Sequence, residues 1–321
     1  MRYHDAVYGD YEITSPVALD LIAAPGFMRL QKIGQFGVPD RYHAYQGYSR
    51  LDHSVGVMIL LDCLGASAQE QLAGLLHDVS HTAFSHVIDW VLGEPDTESY
   101  QDTQHRSAMD RLGLAAILRK HGYAPDQLSD YTRFTLLEQP APNLCADRID
   151  YALREFSKAD IATCLDHLTT RAGTIVFRDQ DSAKCFACNF LTCQTQHWGG
   201  FESVSRYRHF ANALRVALDA GIVTMEDFWQ DDEFVLGKLE HAGHPQINVI
   251  LSYLHHPTLP TMPVSDQAEH KKFRYVDPLI ISGDKLVRLS DVDADFQRQV
   301  EKARRINAEG VRISVLTTAE N

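Results

Sequence analysis

The stretch from Leu75 to His86, which reads Leu-Leu-His-Asp-Val-Ser-His-Thr-Ala-Phe-Ser-His, constrains this chain more than any other feature. A His-Asp pair follows an apolar, helix-like run, and His81 and His86 follow His77 at distances of four and nine residues. Burying several imidazoles without partners costs free energy, so packing alone does not account for the cluster. Adjacent imidazole and carboxylate groups suit a divalent metal such as Mn²⁺, Fe²⁺, Ni²⁺ or Zn²⁺. The run therefore predicts a metal centre or a catalytic site.

A metal held by a protein needs more than two ligands, and the chain offers candidates on both sides of this run. Upstream, Arg50 and His53 are three residues apart and would share one helix face. A guanidinium beside a metal ligand suits phosphate, because arginine takes phosphate oxygens in a bidentate fashion. Downstream, Asp147, Tyr151 and Glu155 recur at four-residue spacing and predict one stripe on a helix.

Ordinary structural roles are the alternative for each of these residues taken alone. A buried His53 could simply be hydrogen-bonded, and the acidic stripe could be a solvated face paired with Arg148 and Arg154. The neighbouring His-Asp pair favours a ligand role for His53. For Glu155 the sequence does not decide between the two interpretations.

Composition limits the classes of partner. The formal net charge is −13, from 30 basic and 43 acidic residues, which disfavours a stable nucleic-acid partner and an anionic membrane surface. A metal and a few arginines can still invert the potential inside a pocket, so a small anionic substrate fits. The six cysteines show no disulfide-framework spacing, and no apolar run reaches 18 residues, so neither secretion nor membrane spanning is expected. We therefore expect a cytoplasmic protein.

Hydrophobic periodicity predicts a mostly α-helical fold with short β elements. Ser49 is a suitable N-cap for a helix that extends to about residue 64, and a second buried helix follows over about 67–78. We expect residues 1–256 to form the helical core, with the metal-binding part at about 35–160. Residues 257–321 are expected to form a small α+β C-terminal subdomain. Its predicted elements are strands at 273–276, 279–281 and 311–315 and a helix at 294–308.

The ordered set of motifs resembles the HD-domain phosphohydrolase superfamily, and within it the branch of deoxynucleoside triphosphate triphosphohydrolases. The resemblance spans roughly residues 5–240. It rests on the segments Tyr8 to Ile13, Arg29 to Gly37, Arg50 to Val57, His77 to Asp89, His105 to Ser107 and Asp147 to Tyr151.

The resemblance implies roles for individual residues. The metal, a divalent transition ion, would be bound by His53, His77, Asp78 and Asp147, with Mg²⁺ on the substrate phosphates as a further expectation. A proton would reach the leaving oxygen from His105, oriented by Asp89. The remaining residues would contact substrate. His81 and His86 would contact the phosphates or a second metal, and the phosphate and sugar oxygens would be held by Arg50, Arg148 and Tyr151. Gln35 would face the 3′ side of the sugar and Tyr207 the deoxyribose, and Glu155 would extend into the same pocket.

The implied activity is that of an enzyme that hydrolyses a dNTP to deoxynucleoside and triphosphate. Three alternatives stay open: an HD-family phosphatase of a nucleoside monophosphate or another ester, a di-iron HD oxygenase, and a non-catalytic nucleotide sensor. Related enzymes suggest a homodimer or homotetramer. Animal members regulated by guanine nucleotides carry Asp, Gln and Arg where this chain has Ala23, Met28 and Gln31, so the same allosteric site is not expected.

Overall fold

The structure, a computed structural model, describes residues 1–43, 45–93, 98–259 and 264–316. It is mostly α-helical, which confirms the predicted fold class. In chain order the α-helices are α1 (Pro16–Ile22), α2 (Pro25–Met28), α3 (Arg50–Cys63), α4 (Ala68–Leu76), α5 (Val87–Leu92), α6 (Tyr100–Arg111), α7 (Leu114–Lys120), α8 (Pro125–Leu128), α9 (Ala146–Leu153), α10 (Lys158–His167), α11 (Gln180–Thr192), α12 (Phe201–Asp219), α13 (Asp232–His241), α14 (Pro245–Leu254), α15 (Leu289–Val292) and α16 (Ala294–Glu309).

Short strands join this helical body at three places. They are β1 (Arg2–Asp5), β2 (Gly9–Glu12), β3 (Leu168–Arg171), β4 (Thr174–Phe177), β5 (Val264–Glu269), β6 (Leu279–Ser282), β7 (Lys285–Arg288) and β8 (Val311–Ser314). β1 pairs with β2 and β5 with β8, both antiparallel, while β3, β4, β6 and β7 form one four-stranded sheet in that order. Within that sheet only β4 and β6 run parallel to each other.

The central helix α3 begins at a capping box. The Ser49 hydroxyl accepts a hydrogen bond from the Asp52 backbone amide at 3.1 Å, and the Asp52 carboxylate accepts one from the Ser49 amide at 3.2 Å. This confirms the helix start predicted at Ser49. Because the cap fixes the first turn, it also fixes the direction in which Arg50 and His53 leave the helix, and both side chains are buried.

Two apolar cores flank the site. One holds the inner faces of α3, α4, α9, α11 and α16, and the other lies among α5, α12 and α14. The run from His77 to His86 crosses between them, since Val79 packs in the first core and Phe84 in the second. The histidine-rich run is therefore anchored on both sides by buried side chains.

Residues 257–321, which the sequence predicts to form a small α+β subdomain, are in contact with the preceding part of the chain. Strand β6 pairs with β4 of the preceding part of the chain, and Phe296 on α16 belongs to the same apolar core as Phe186 on α11. The strands predicted at 279–281 and 311–315 and the helix predicted at 294–308 are confirmed. The strand predicted at 273–276 is an extended segment outside any sheet. Residues 260–263, just after the predicted boundary between 256 and 257, lie outside the described residues.

Among the described residues, no helix combines the length and the apolar character needed to cross a bilayer.

Gly56 lies on α3 where the helix meets a buried ion pair. A Cβ atom there would overlap the Arg154 guanidinium and the Asp150 carboxylate, which are hydrogen-bonded to each other at 2.7 Å. We expect Gly56→Ala to lower the free energy of unfolding by about 1–3 kcal/mol, because the pair has no space to move. The matched control is Gly237→Ala on α13, where nothing lies within 4 Å and alanine should stabilise by up to about 1 kcal/mol. Equal denaturation midpoints for the two variants would contradict this account.

Candidate metal centre and active site

Side chains from α3, the end of α4 and α9 converge on one buried point. The Nε2 atom of His53 lies 2.9 Å from Oδ1 of Asp147 and 3.2 Å from Nε2 of His77. These three residues present ligand atoms within 4.8 Å of one another. Asp78 completes the set, with carboxylate oxygens 3.4 Å from the His77 Nε2 atom and 3.7 Å from the His53 Nε2 atom. The four residues that the sequence selects as metal ligands are thus together.

The hydrogen bonds on the far side of each ring determine what this point can hold. Nδ1 of His53 faces Oδ1 of Asp150 at 2.7 Å, and Nδ1 of His77 faces the backbone carbonyl of Gly74 at 2.7 Å. Both acceptors require a proton on Nδ1, so in the neutral rings both Nε2 atoms carry lone pairs. Two lone pairs and the carboxylate oxygens of Asp147 and Asp78 then face one another with no donor between them. This donor set fits a divalent cation.

The electrostatics agree with the geometry. Burial by itself would lower the pKa of His77, but the charge of Asp78 and the hydrogen bond to Asp147 outweigh it and raise that pKa to about 9. The pKa of His53 is also raised, since Asp147 and Asp150 outweigh its burial. The site therefore attracts positive charge.

A turn with an unusual backbone brings His86 towards this centre. Phe84 and Ser85 have φ values of 64° and 50°, a region that side chains other than glycine adopt at a cost. Hydrogen bonds hold the turn: the Phe84 amide donates to Asp232 at 2.7 Å, and Arg50 Nε donates to the Ser85 hydroxyl at 2.9 Å. Such strain is typical of functional sites, where the surroundings determine the conformation.

Asp89 pairs with His86 and not with His105, the partner that the resemblance implies. Its Oδ2 atom lies 3.3 Å from Nδ1 of His86, three residues earlier on the first turn of α5, and its Oδ1 atom accepts from the Tyr100 amide at 2.9 Å. His105 instead has Nδ1 3.3 Å from the Ser80 hydroxyl, and its ring packs against Tyr131.

His105 also sits in a different environment from that expected of a proton donor. It is buried and absent from the lining of the cavity described below. Burial, together with the charge of His77, lowers its pKa to about 3. His105 is therefore neutral near pH 7.

A cavity of about 410 Å³ opens at the metal-ligand cluster. It is lined by His77, Asp78 and Asp147 and by every residue that we expect to contact substrate: Gln35, Arg50, His81, His86, Arg148, Tyr151, Glu155 and Tyr207. His53, Asp89 and His105 are not part of this lining. The structure thus gathers residues that are as far as 172 positions apart in the sequence, counting from Gln35 to Tyr207.

Some of these residues already have partners. The Glu155 carboxylate accepts a hydrogen bond from Trp198 Nε1 at 2.6 Å and pairs with Nδ1 of His197 at 2.5 Å. Both of its oxygens therefore already have partners within the protein. Arg148 Nη2 lies 3.3 Å from Glu138. Arg50 Nη1 binds Asp78 at 2.7 Å.

Gln35 and Tyr207 both line the cavity. The Gln35 side-chain carbonyl is buried and has no hydrogen-bond partner within the described ranges. A Cβ atom on Gly37 would lie 2.9 Å from the Tyr207 hydroxyl, so the backbone at residue 37 sits directly against that ring. Nζ of Lys271 lies 3.8 Å from the ring centroid, so a sugar packed on Tyr207 would share the ring with Lys271.

Sequence reasoning missed one whole side of the cavity. The segment 271–275 (Lys-Lys-Phe-Arg-Tyr) lines it, as do His197 and Trp198 from the π-helical stretch Cys193–Trp198. The sequence predicts a strand at 273–276, within the C-terminal subdomain, and assigns no role to Lys271 or Lys272. Its three cations within four positions, in a chain of net charge −13, are the signal that could have found it.

Comparison with known proteins identifies the family. A family model described as HD domain matches residues 50–154. The chain is 32% identical to the metal-dependent phosphohydrolase cns2 of Cordyceps militaris, over 85% of this chain and 83% of that protein. It belongs to the HD-domain metal-dependent phosphohydrolases. It is also 35% identical to the uncharacterized protein YdhJ of Bacillus subtilis, over 98% and 99% of the two chains.

More distant similarities extend over part of the chain or concern the fold alone. The deoxynucleoside triphosphate triphosphohydrolase SAMHD1 of Xenopus laevis is 29% identical over 40% of this chain and 24% of that protein. A phosphohydrolase from Bacteroides thetaiotaomicron superposes with a TM-score of 0.70 at 18% identity, covering 96% of this chain and 98% of that one. The latter shows that the fold is shared. This HD phosphohydrolase is thus an enzyme whose hydrolysis depends on a metal.

The ligand set makes a direct prediction about metal content. His77→Ala and Asp147→Ala should each lose the bound metal, because each removes an inner ligand, while circular dichroism stays helical. Asp150→Asn should weaken metal affinity by about 10–100-fold, since it removes the charge of the carboxylate that holds both His53 and Arg154 while an amide oxygen remains to accept hydrogen bonds. His241→Ala, at an exposed position on α13, is the control. Full metal occupancy by elemental analysis in both ligand variants would refute the assignment.

Proposed function

We propose that this HD phosphohydrolase acts on a nucleotide, and that it hydrolyses a dNTP to deoxynucleoside and triphosphate. One observation carries the proposal: a single cavity joins the metal-ligand set to a group of cations and to an unpaired amide carbonyl. The cations are Arg50, Arg148, Lys271, Lys272 and Arg274, and the carbonyl belongs to Gln35. A polyanion with a hydroxyl-bearing sugar matches that combination.

The sugar side of the proposal rests on Gln35. Leaving a buried carbonyl without a donor costs free energy, and a sugar hydroxyl is a donor that would satisfy it. The main-chain amide of Gln35 donates to the Tyr48 carbonyl at 2.9 Å, which holds the residue in place. Tyr207 lines the same cavity, and its ring would pack against the deoxyribose.

The reaction would break the bond between the α-phosphorus and the sugar 5′ oxygen while a water oxygen bonds to phosphorus. A divalent metal held by His53, His77, Asp78 and Asp147 would supply Lewis-acid polarisation of a phosphate oxygen. Arg50 and Arg148 line the same cavity and would stabilise the charge that develops on the phosphate.

We assign the proton donor to His86 and not to His105. The 5′ oxygen leaves as an alcohol and needs a proton. His86 lines the cavity, and its Nδ1 faces the buried Asp89 carboxylate at 3.3 Å, which orients the ring and leaves Nε2 to meet substrate. Among the described residues, no carboxylate pairs with His105, and His105 is not part of the cavity lining.

Product analysis tests the proposed reaction. The metal-loaded protein would be incubated with the four dNTPs, the four NTPs and the corresponding monophosphates, with Mn²⁺ present. Ion-exchange chromatography and phosphorus NMR then separate tripolyphosphate from orthophosphate. We expect tripolyphosphate and deoxynucleoside from at least one dNTP. Orthophosphate from a monophosphate, with no product from any dNTP, would favour the phosphatase alternative and end the proposal.

The proton-donor assignment predicts a difference between two histidine variants. His86→Ala should lose about 10²–10⁴-fold in kcat and keep its metal and its melting temperature. Asp89→Asn should lose less, because it only positions the imidazole. His105→Ala should mainly lower the melting temperature, since its ring is buried against Tyr131, with turnover within about 10-fold of the parent. If His105→Ala loses the larger part of kcat while His86→Ala turns over at nearly the parent rate, His105 is the proton donor.

A further inference from the structure

We propose that Lys271 binds a phosphate of the substrate, so that the segment 271–275 supplies a phosphate-binding cation from outside the matched HD region, residues 50–154. The inference rests on the proposed function in that it takes a nucleotide to be the ligand of this cavity. It adds one phosphate-binding residue that lies far from the HD-domain motifs in the sequence.

Contacts to two other parts of the chain hold the segment in place along the cavity. The Lys271 carbonyl accepts from Asn307 on α16 at 3.2 Å, and the Arg274 amide donates to the side chain of Gln194 in the π-helical stretch at 3.2 Å. The rings of Phe273 and Tyr275 stack at 5.5 Å. Since the backbone is fixed at both ends, Lys271 is directed to one place in the cavity.

Lys271 forms no ion pair with a carboxylate among the described residues. Its Nζ atom lies over the Tyr207 ring and makes no hydrogen bond or ion pair with any described residue. Burial lowers its pKa to about 8, with Glu98 attracting the charge and Arg274 repelling it. A cation–π contact offsets only part of the cost of withdrawing an ammonium from water, so an anion would be the natural partner.

The other cations of the cavity differ from Lys271 in this respect. Carboxylates already bind the three arginines: Asp78 binds Arg50, Glu138 binds Arg148 and Glu98 binds Arg274. Lys272 is exposed to solvent and needs no partner. Within the described ranges, Lys271 is therefore the cavity cation that is both partly buried and free of an acidic partner.

Its place relative to the metal ligands indicates which substrates need it. Lys271 contacts Tyr207 and none of His53, His77, Asp78 or Asp147. A phosphate bound by Lys271 would therefore contact a residue that is not one of the metal ligands. A substrate with several phosphates could therefore offer one phosphate to Lys271 and another to the metal ligands of the same cavity.

Calorimetric titration of the metal-loaded protein with inorganic tripolyphosphate, and separately with orthophosphate, tests the inference. Lys271→Met should weaken tripolyphosphate binding by about 10-fold or more, as expected for the loss of one charge-assisted contact. Lys271→Arg, which keeps the charge, should restore most of the affinity. Lys285→Met, on the exposed start of β7, should bind as the parent does. Lys271→Gln provides a second neutral variant if the methionine variant folds poorly, and metal content is measured for each.

The outcomes separate this inference from the proposed function. Parent-like tripolyphosphate binding by both neutral variants would overturn the role of Lys271, whatever the products from dNTPs are. A parent protein that binds neither anion would overturn it too. If the neutral variants lose anion binding while the parent releases only orthophosphate from monophosphates, Lys271 stands as a phosphate-binding residue and the dNTP reaction does not.

Discussion

The rest of the structure depends on the meeting of two imidazole nitrogens and the carboxylate of Asp147 at one buried point. The arrangement is stable only with a positive charge between these groups, because the outer nitrogens of both rings are committed as donors. The support extends outwards: His53 is held by Asp150, Asp150 by Arg154, and Arg154 also by Asp5 at 2.8 Å. A metal-binding histidine on α3 is thereby tied to the first strand of the chain.

Charge explains how so acidic a chain can accept a polyanion. The net charge of −13 belongs to the whole chain, whereas the cavity collects cations from three distant regions, represented by Arg50, Arg148 and the segment 271–275. Most of them are paired with carboxylates, which keeps the empty cavity near neutrality and limits the repulsion among the cations. A metal held by the ligand set, together with Lys271, would provide the positive charge that an anionic substrate meets.

Local patterns predicted the parts of the site that local geometry controls. The cap at Ser49, the i, i+3 pair of Arg50 and His53 and the His-Asp pair at the end of a buried helix all follow from helical periodicity. Long-range pairing was not predictable in the same way. No local sequence pattern indicates that β6 pairs with β4, which lies about 100 residues earlier in the chain. That pairing places the segment 271–275, which precedes β6, along the cavity. The partner of Asp89 likewise depended on the turn at Phe84 and Ser85, which only the tertiary hydrogen bonds specify.

A crystal structure of the metal-loaded protein, with diffraction data collected on both sides of the absorption edge of the metal, tests the central claim most directly. The account predicts one strong anomalous peak at about 2.0–2.2 Å from the Nε2 atoms of His53 and His77, with carboxylate oxygens of Asp78 and Asp147 in the same coordination sphere. An anomalous peak elsewhere, or a fully loaded protein in which His53 and His77 remain in direct contact, would contradict it.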